Sequence, residues 1–160
     1  MSTPKSIIQS FVQVVEENPN KKAIIWKEDS LSYTQLAQWV EAYAYFFTAK
    51  GVKRGDRILF HGQTSLRFPV IYLACHRIGA VAVPVDARMA PAERNELFIQ
   101  IEPALALFPG SLETSFAFEE LDQGIDTHQL GVINPFPEGN EIADILFTTG
   151  TTGSRKGVQL

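Results

Sequence analysis

The residues best suited to chemistry lie between positions 148 and 157, where small, hydroxyl-bearing and basic side chains follow one another. The stretch reads Thr148-Thr149-Gly150-Thr151-Thr152-Gly153-Ser154-Arg155-Lys156-Gly157. Its three glycines permit positive φ and a close approach of the backbone to a ligand. Its five hydroxyls and its backbone N–H groups can donate to phosphate oxygens, while Arg155 and Lys156 add positive charge. This combination predicts a loop that binds a polyphosphate.

Two common nucleotide-binding motifs do not describe this loop. Counted from Gly150, the second glycine of a Walker A motif would fall on Arg155, and Gly157 stands where serine or threonine should follow the lysine. The loop contains no GxGxxG pattern either. The alternative is a flexible turn of threonine and glycine, and the adjacent cations favour the phosphate-binding interpretation over it.

The chain ahead of the loop divides into alternating helices and strands. Apolar residues at helical spacing predict helices near 8–15, 32–50, 64–79 and 91–103. Ser32 and Gln35 form a capping box for the second helix, and Thr64 or Ser65 is the expected N-cap of the third. Short apolar runs predict strands at 23–26, 57–60, 80–85, 104–108 and 142–147. We therefore expect an α/β fold with a mainly parallel sheet flanked by helices.

The patterning weakens after Gly110. Residues 116–121 fit a short helix or an edge strand, and residues 131–140, rich in glycine, proline and asparagine, predict a linker.

The composition excludes several classes of protein. An apolar fraction of 45% with 20% charged residues rules out intrinsic disorder. A net charge of −4 argues against a nucleic-acid binder that works by neutralising phosphates. Cys75 is the single cysteine, so no intramolecular disulfide can form, and its apolar surroundings predict a buried small hydrophobe. No apolar run is long enough for a membrane span and no secretory signal opens the sequence, so we expect a cytoplasmic protein.

Three segments, in order along the chain, carry a resemblance to a known family. Beside the loop at 148–157, these are Leu31-Ser32-Tyr33-Thr34-Gln35-Leu36 and Arg77-Ile78-Gly79-Ala80-Val81-Ala82-Val83-Pro84-Val85-Asp86. Together they resemble the first core motifs of the adenylate-forming, or AMP-binding, superfamily. That superfamily includes acyl- and aryl-CoA synthetases, the adenylation domains of peptide synthetases, and firefly luciferase. The loop departs from the family pattern at Arg155, where proline is usual, and at Thr149, where serine is common.

The resemblance implies a two-step reaction. A carboxylate attacks the α-phosphate of MgATP to give an acyl-adenylate and pyrophosphate, and a thiol of coenzyme A or of a phosphopantetheine carrier then displaces AMP. The role of holding the β- and γ-phosphates is carried over to Thr148, Thr149, Gly150, Thr151, Thr152, Gly153 and Lys156. The family's catalytic lysine, magnesium-binding glutamate and adenine-binding motifs have no counterpart in this chain, so we expect no catalytic or metal-binding residue within it.

Residues 1–160 are accordingly expected to form the N-terminal part of an adenylation domain that ends just after the phosphate-binding loop. The parent activity implied is an ATP-dependent ligase of a carboxylic acid and coenzyme A. Two alternatives stay open: a stand-alone nucleotide- or pyrophosphate-binding module without ligase activity, and an interaction domain. A chain that lacks the rest of the domain would expose apolar surface, which predicts self-association.

Four further residues are of a type that could serve a site. His61 follows a strand at the end where open α/β sheets bind ligands, so we keep it as a site hypothesis. Asp86 is expected to cap or order the turn after its strand, and Asp144 is interpreted as an ordinary turn residue. His76 has no second histidine or cysteine at metal-ligand spacing.

Overall fold

The computed structural model describes residues 5–62, 64–86, 88–108, 115–116, 137, 139, 141–148 and 156–160. Within them lie four helices, α1 Ile7–Glu17, α2 Tyr33–Ala49, α3 Arg67–Ile78 and α4 Pro91–Ile101. The strands are β1 Lys22–Trp26, β2 Asp29–Ser32, β3 Arg57–His61, β4 Val81–Val85, β5 Leu105–Leu107, β6 Ser115–Phe116, β7 Ile145–Thr148 and β8 Lys156–Gln159. Helices and strands therefore alternate through the middle of the chain, as the sequence predicts.

A parallel sheet forms the centre of the fold, with the strand order β4-β3-β5-β6. Arg57 of β3 pairs with Val81 of β4, and Ile58 pairs with Leu105 of β5. Antiparallel pairing is confined, within the described residues, to two hairpins, β1–β2 and β7–β8. The prediction of an α/β fold with a mainly parallel sheet is confirmed.

The parallel strands are apolar on both faces because helices cover both. Ile58 and Phe60 of β3 join a core cluster with residues of α2 and α3, whereas Leu59 between them joins a second cluster with Leu97 of α4. Successive side chains of a strand point to opposite faces, so the two clusters lie on opposite sides of the sheet. Because both faces of the sheet are covered, the sequences of these strands are continuous apolar runs.

Helix α2 begins and ends where the sequence indicates. The backbone N–H of Ser32 donates to Oε1 of Gln35 at 2.9 Å, and the N–H of Gln35 donates to Oγ of Ser32 at 3.2 Å, which completes the capping box. The helix ends before Gly51, whose φ of +89° suits glycine. Leu36, Val40, Tyr43 and Phe47 are buried along one face, as their spacing predicts.

One local prediction is wrong. Neither Thr64 nor Ser65 caps α3: the N-cap is Leu66, which has helical φ and ψ and no capping side chain. The turn between β1 and β2 falls at Lys27 and Glu28. Lys27 adopts a φ of +55°, so a left-handed residue closes this hairpin without glycine.

Two further predictions, for residues 116–121 and 131–140, fall partly outside the described residues. Ser115 and Phe116 form an edge strand parallel to β5, which agrees with one of the two forms expected near 116–121. Residues 117–121 lie outside the described residues, as do 131–140 apart from Pro137 and Gly139. The linker expected at 131–140 therefore stays a prediction.

Candidate functional site

The two ends of the predicted phosphate-binding loop are paired with each other. Thr148 is the last residue of β7 and Lys156 the first of β8, and these two residues are register partners in the antiparallel hairpin. Thr149, Gly150, Thr151, Thr152 and Gly153 lie outside the described residues, together with Ser154 and Arg155. The seven residues 149–155 thus connect two strand ends that pairing holds side by side.

The hairpin lies beside the parallel sheet. Asp144, directly ahead of β7, forms a parallel bridge with Ala82 of β4, and the N–H of Ala82 donates to the carbonyl of Ala143 at 2.9 Å. Because β7 and β4 run in the same direction, the carboxyl end of β7 lies at the same edge as the carboxyl ends of the parallel strands. Open α/β sheets bind their ligands at this edge.

The carboxyl ends of β3 and β4 meet closely at that edge. The N–H of Gly62 donates to the carbonyl of Val85 at 2.7 Å, and a Cβ on Gly62 would lie 2.7 Å from the same oxygen. The carboxylate of Asp86 accepts from the backbone N–H of Arg88 at 2.8 Å and from its guanidinium at 3.0 Å. The prediction that Asp86 orders the following turn is confirmed.

His61 lies at the carboxyl end of β3, as predicted, but it is buried. Only 8% of the residue is exposed, and its ring meets the ring of Phe108 edge-on, with the centroids 6.3 Å apart. A role for His61 in ligand binding stays a prediction.

Asp144 is not an ordinary turn residue, and this interpretation of the sequence is wrong. It is only 4% exposed, and its Oδ2 accepts a hydrogen bond of 2.7 Å from the hydroxyl of Tyr72 on α3. Nε2 of His76, one helical turn further along α3 and 5% exposed, lies 3.3 Å from Oδ1 of Asp144. These two atoms are not aligned for a hydrogen bond, so we treat their approach as an electrostatic contact. We call Tyr72, His76 and Asp144 the buried polar cluster.

Burial governs the ionisation of the groups around Asp144. Burial raises the pKa of the Tyr72 hydroxyl well above its ordinary value, and the hydrogen bond to Asp144 raises it further. Burial likewise raises the pKa of Cys75, helped by the Asp144 carboxylate, which confirms Cys75 as an inert buried side chain. For His76, desolvation lowers the pKa below 6.5, and the attraction of Asp144 opposes that shift in part. Burial thus favours the neutral form of this histidine.

Sequence reasoning missed the buried polar cluster although one signal was available. Tyr72 and His76 are four residues apart in an otherwise apolar helical run, so they share a helix face that must find polar partners if it is buried. The partner, 72 positions from Tyr72, could not be identified from local pattern.

The profile of the AMP-binding enzyme family matches residues 11–160, so the chain belongs to this family. Its curated relatives include the medium-chain fatty-acid–CoA ligase of Escherichia coli strain K12, 30% identical over 97% of this chain and 32% of the ligase. The D-alanine–D-alanyl carrier protein ligase of Bacillus mycoides is 27% identical over 96% of this chain and 32% of that protein. The chain thus spans about a third of the length of these two relatives.

Two solved structures have the same fold as this chain. The N-terminal subdomain of Klebsiella oxytoca NpsA superposes with a TM-score of 0.87 at 23% identity, over 99% of this chain and 42% of that one. VinN in complex with L-aspartate gives a TM-score of 0.81 at 18% identity, over 98% of this chain and 48% of VinN. The fold is therefore that of the N-terminal subdomain of NpsA. None of the four described helices is long and apolar enough to cross a membrane.

Proposed function

We propose that this chain supplies the phosphate-binding part of an adenylation domain that activates a carboxylic acid with ATP. In this proposal residues 1–160 are the N-terminal part of that domain, with 131–140 as a linker inside it. The phosphates of ATP are held by Thr148, Thr149, Gly150, Thr151, Thr152, Gly153 and Lys156. The register pairing of Thr148 with Lys156 is the observation that carries the proposal, because it brings both ends of the glycine-rich segment to one place.

The chemistry of the segment suits the charge that develops in the reaction. When a carboxylate oxygen attacks the α-phosphorus, the bond to the bridging oxygen breaks and pyrophosphate leaves with the electron pair. Hydroxyl and backbone N–H donors that are already oriented stabilise this growing negative charge without reorganising. The ammonium of Lys156 supplies the charge-assisted bond that strengthens such a site.

Magnesium would reach this site with ATP. The described part of the chain contains no group of three or more His, Cys, Asp or Glu side chains that could hold a metal ion. In this proposal the loop residues bind phosphate oxygens that the ion leaves accessible.

Coenzyme A is the proposed acceptor of the activated acid. Its thiol sulfur would attack the carbonyl carbon of the acyl-adenylate, AMP would leave, and a thioester would result. The name of the Escherichia coli relative supports this choice, whereas the name of the Bacillus mycoides relative supports the alternative of a phosphopantetheine carrier. The relatives also include gramicidin S synthase 2 of Brevibacillus brevis, so the proposal does not extend to one class of acid.

An amide NMR titration of the chain with MgATP and with pyrophosphate tests the proposal. We expect saturable shifts centred on residues 148–157 that are lost in Lys156→Ala. Lys53→Ala is the matched control, since it removes one exposed lysine from the loop ahead of β3 and leaves the hairpin unchanged. Shifts of equal size in both variants, or no saturable shift at millimolar ligand, would contradict phosphate binding by this loop.

A further inference from the structure

The segment from Asp144 to Phe147 is held on both faces of the sheet. On the α3 face, Asp144 lies against Tyr72 and His76 at the distances of 2.7 and 3.3 Å given above. On the α4 face, Ile145 and Phe147 pack against the core cluster that contains Leu97. The strand that leads into the loop is thus fixed by polar contacts on one side and by apolar contacts on the other.

This arrangement permits one register of β7. A slip by one residue would turn every side chain of the strand to the opposite face. A slip toward the loop would put Asp144 at the place of Ile145, in the apolar cluster without a partner, and would put Ala143 against the Tyr72 hydroxyl. Burial of an unpaired carboxylate is costly, so the slipped pairing is strongly disfavoured. The buried polar cluster therefore specifies register.

The register of β7 determines where the loop begins. Thr148 is four residues beyond Asp144, about 13 Å at the usual rise of a strand. Binding groups must be held to within about half an ångström of their productive positions, which requires fixed supports behind them. A change of register or tilt at Asp144 would displace Thr148 and its partner Lys156 by much more than that.

We propose that Tyr72 and His76 act as positioning residues: by holding Asp144 they fix the β7–β8 hairpin and, through it, the phosphate-binding loop. The effect on ligand binding rests on the function proposed above. The effect on the hairpin does not, and can be measured without a ligand.

Tyr72→Phe tests the proposal because it removes one hydroxyl and little else. Its control is Ile71→Val, which also weakens α3 but removes only one methylene from the α2–α3 core cluster and no polar atom. Amide hydrogen exchange is measured for β7, β8 and the central strands β3 and β4. In Tyr72→Phe we expect the hairpin amides to exchange about tenfold faster relative to β3 and β4, the factor typical of one lost hydrogen bond to a charged group. In Ile71→Val the ratio of the hairpin exchange rates to the exchange rates of β3 and β4 stays at the value of the unaltered chain.

The same variants are then titrated with MgATP. We expect the dissociation constant to rise about tenfold in Tyr72→Phe and to stay within about twofold in Ile71→Val, in line with the exchange result. Rescue gives a further readout: Asp144→Asn keeps an acceptor for Tyr72 and should retain more hairpin protection and affinity than Asp144→Ala.

Two results would overturn the proposal. In the first, hairpin exchange in Tyr72→Phe is no faster than in Ile71→Val. In the second, the hairpin loosens while MgATP affinity is unchanged, so that the cluster stabilises a strand but does not position the loop. If the unaltered chain binds neither MgATP nor pyrophosphate, the proposed function fails, and the exchange ratio still decides whether these residues hold the hairpin.

Discussion

Tyr72 and Asp144 are joined by a hydrogen bond of 2.7 Å although 72 positions separate them in the chain. The bond links the middle of α3 to the residue that opens β7. A helix that covers the sheet and a strand that leads into the candidate site therefore depend on each other. The local sequence pattern indicates that Tyr72 and His76 need a polar partner but does not identify Asp144, and several consequences of the link can be measured.

Replacing Asp144 with alanine should lower the stability of the whole chain. The substitution leaves the half-buried Tyr72 hydroxyl without its acceptor, so the cost should lie near the lower end of the about 1–3 kcal/mol of an unsatisfied buried group. Urea unfolding followed by circular dichroism measures the change. Asp29→Ala is the control, since Asp29 is exposed on β2 and its loss should change stability by no more than about 0.5 kcal/mol. Equal stability of the two variants would show that the buried polar cluster does not contribute to folding.

Acid should destabilise the fold through His76. In the folded chain burial lowers the pKa of His76 below 6.5, so between 6.5 and that lower value the unfolded chain binds a proton that the folded chain does not. Stability then rises with pH across this window, by at most about 1.4 kcal/mol per pH unit for one proton, and is fully present above pH 6.5. His76 contacts Tyr72 and Asp144, and Lys5 and Glu141 line the same cavity.

Urea unfolding at pH 7.5, 6.5 and 5.5 checks this pH dependence. The loss of stability from pH 6.5 to 5.5 should be smaller in His76→Gln, which cannot take up the proton. Carboxylates remote from His76 contribute equally in both proteins and cancel in the difference. An identical loss in both proteins would mean that His76 has an unshifted pKa.

Removing the N-cap side chain of α2 should lower the stability of the fold, whereas removing Ser65, one of the two N-caps expected for α3, should not. Ser32 accepts the N–H of Gln35 and is held in a reciprocal capping box, so Ser32→Ala should cost about 1 kcal/mol. Ser65 lies one residue ahead of Leu66, the N-cap of α3, which has no side-chain cap, so Ser65→Ala should change stability by less than about 0.5 kcal/mol. The midpoints of thermal unfolding rank the two variants. The reverse order would place the start of α3 where sequence analysis puts it.

Features that depend on neighbours within one or two turns were predictable. The Ser32–Gln35 spacing, the buried face of α2 and the stop before Gly51 are local, and the structure shows all three. The parallel sheet also followed from alternating apolar runs and helices. The start of α3 was not predictable, because Leu66 begins the helix without any side-chain cap.

Features that depend on distant contacts were missed. Strand β8 escaped prediction because it follows a segment whose composition indicates a binding loop, and its strand character comes from pairing with β7. Asp144 was misjudged because Tyr72 and His76 lie on an element far away in the chain. Of the candidate site, the structure supplies the paired ends Thr148 and Lys156, and the roles of residues 149–153 stay a prediction.

The close contact of β3 and β4 should make Gly62 intolerant of a side chain. A Cβ there would lie 2.7 Å from the carbonyl oxygen of Val85, which is a backbone atom and cannot rotate away. Gly62→Ala should therefore push the carboxyl ends of the two strands apart, stretch the hydrogen bond from Gly62 to Val85, and cost about 1–3 kcal/mol. The shifted amides in an NMR spectrum should include Val85 and Asp86, at the sheet edge where β7 ends.

Gly51→Ala is the matched control for that substitution. Gly51 has a φ of +89°, and no atom lies within 4 Å of the position that a Cβ would take there, so its replacement costs about 1–2 kcal/mol of left-handed backbone strain without a clash. The two variants therefore lose similar stability by different means, and the location of the shifted amides separates them. Unchanged amide shifts at Val85 and Asp86 in Gly62→Ala would mean that the strand ends are further apart than the 2.7 Å hydrogen bond indicates.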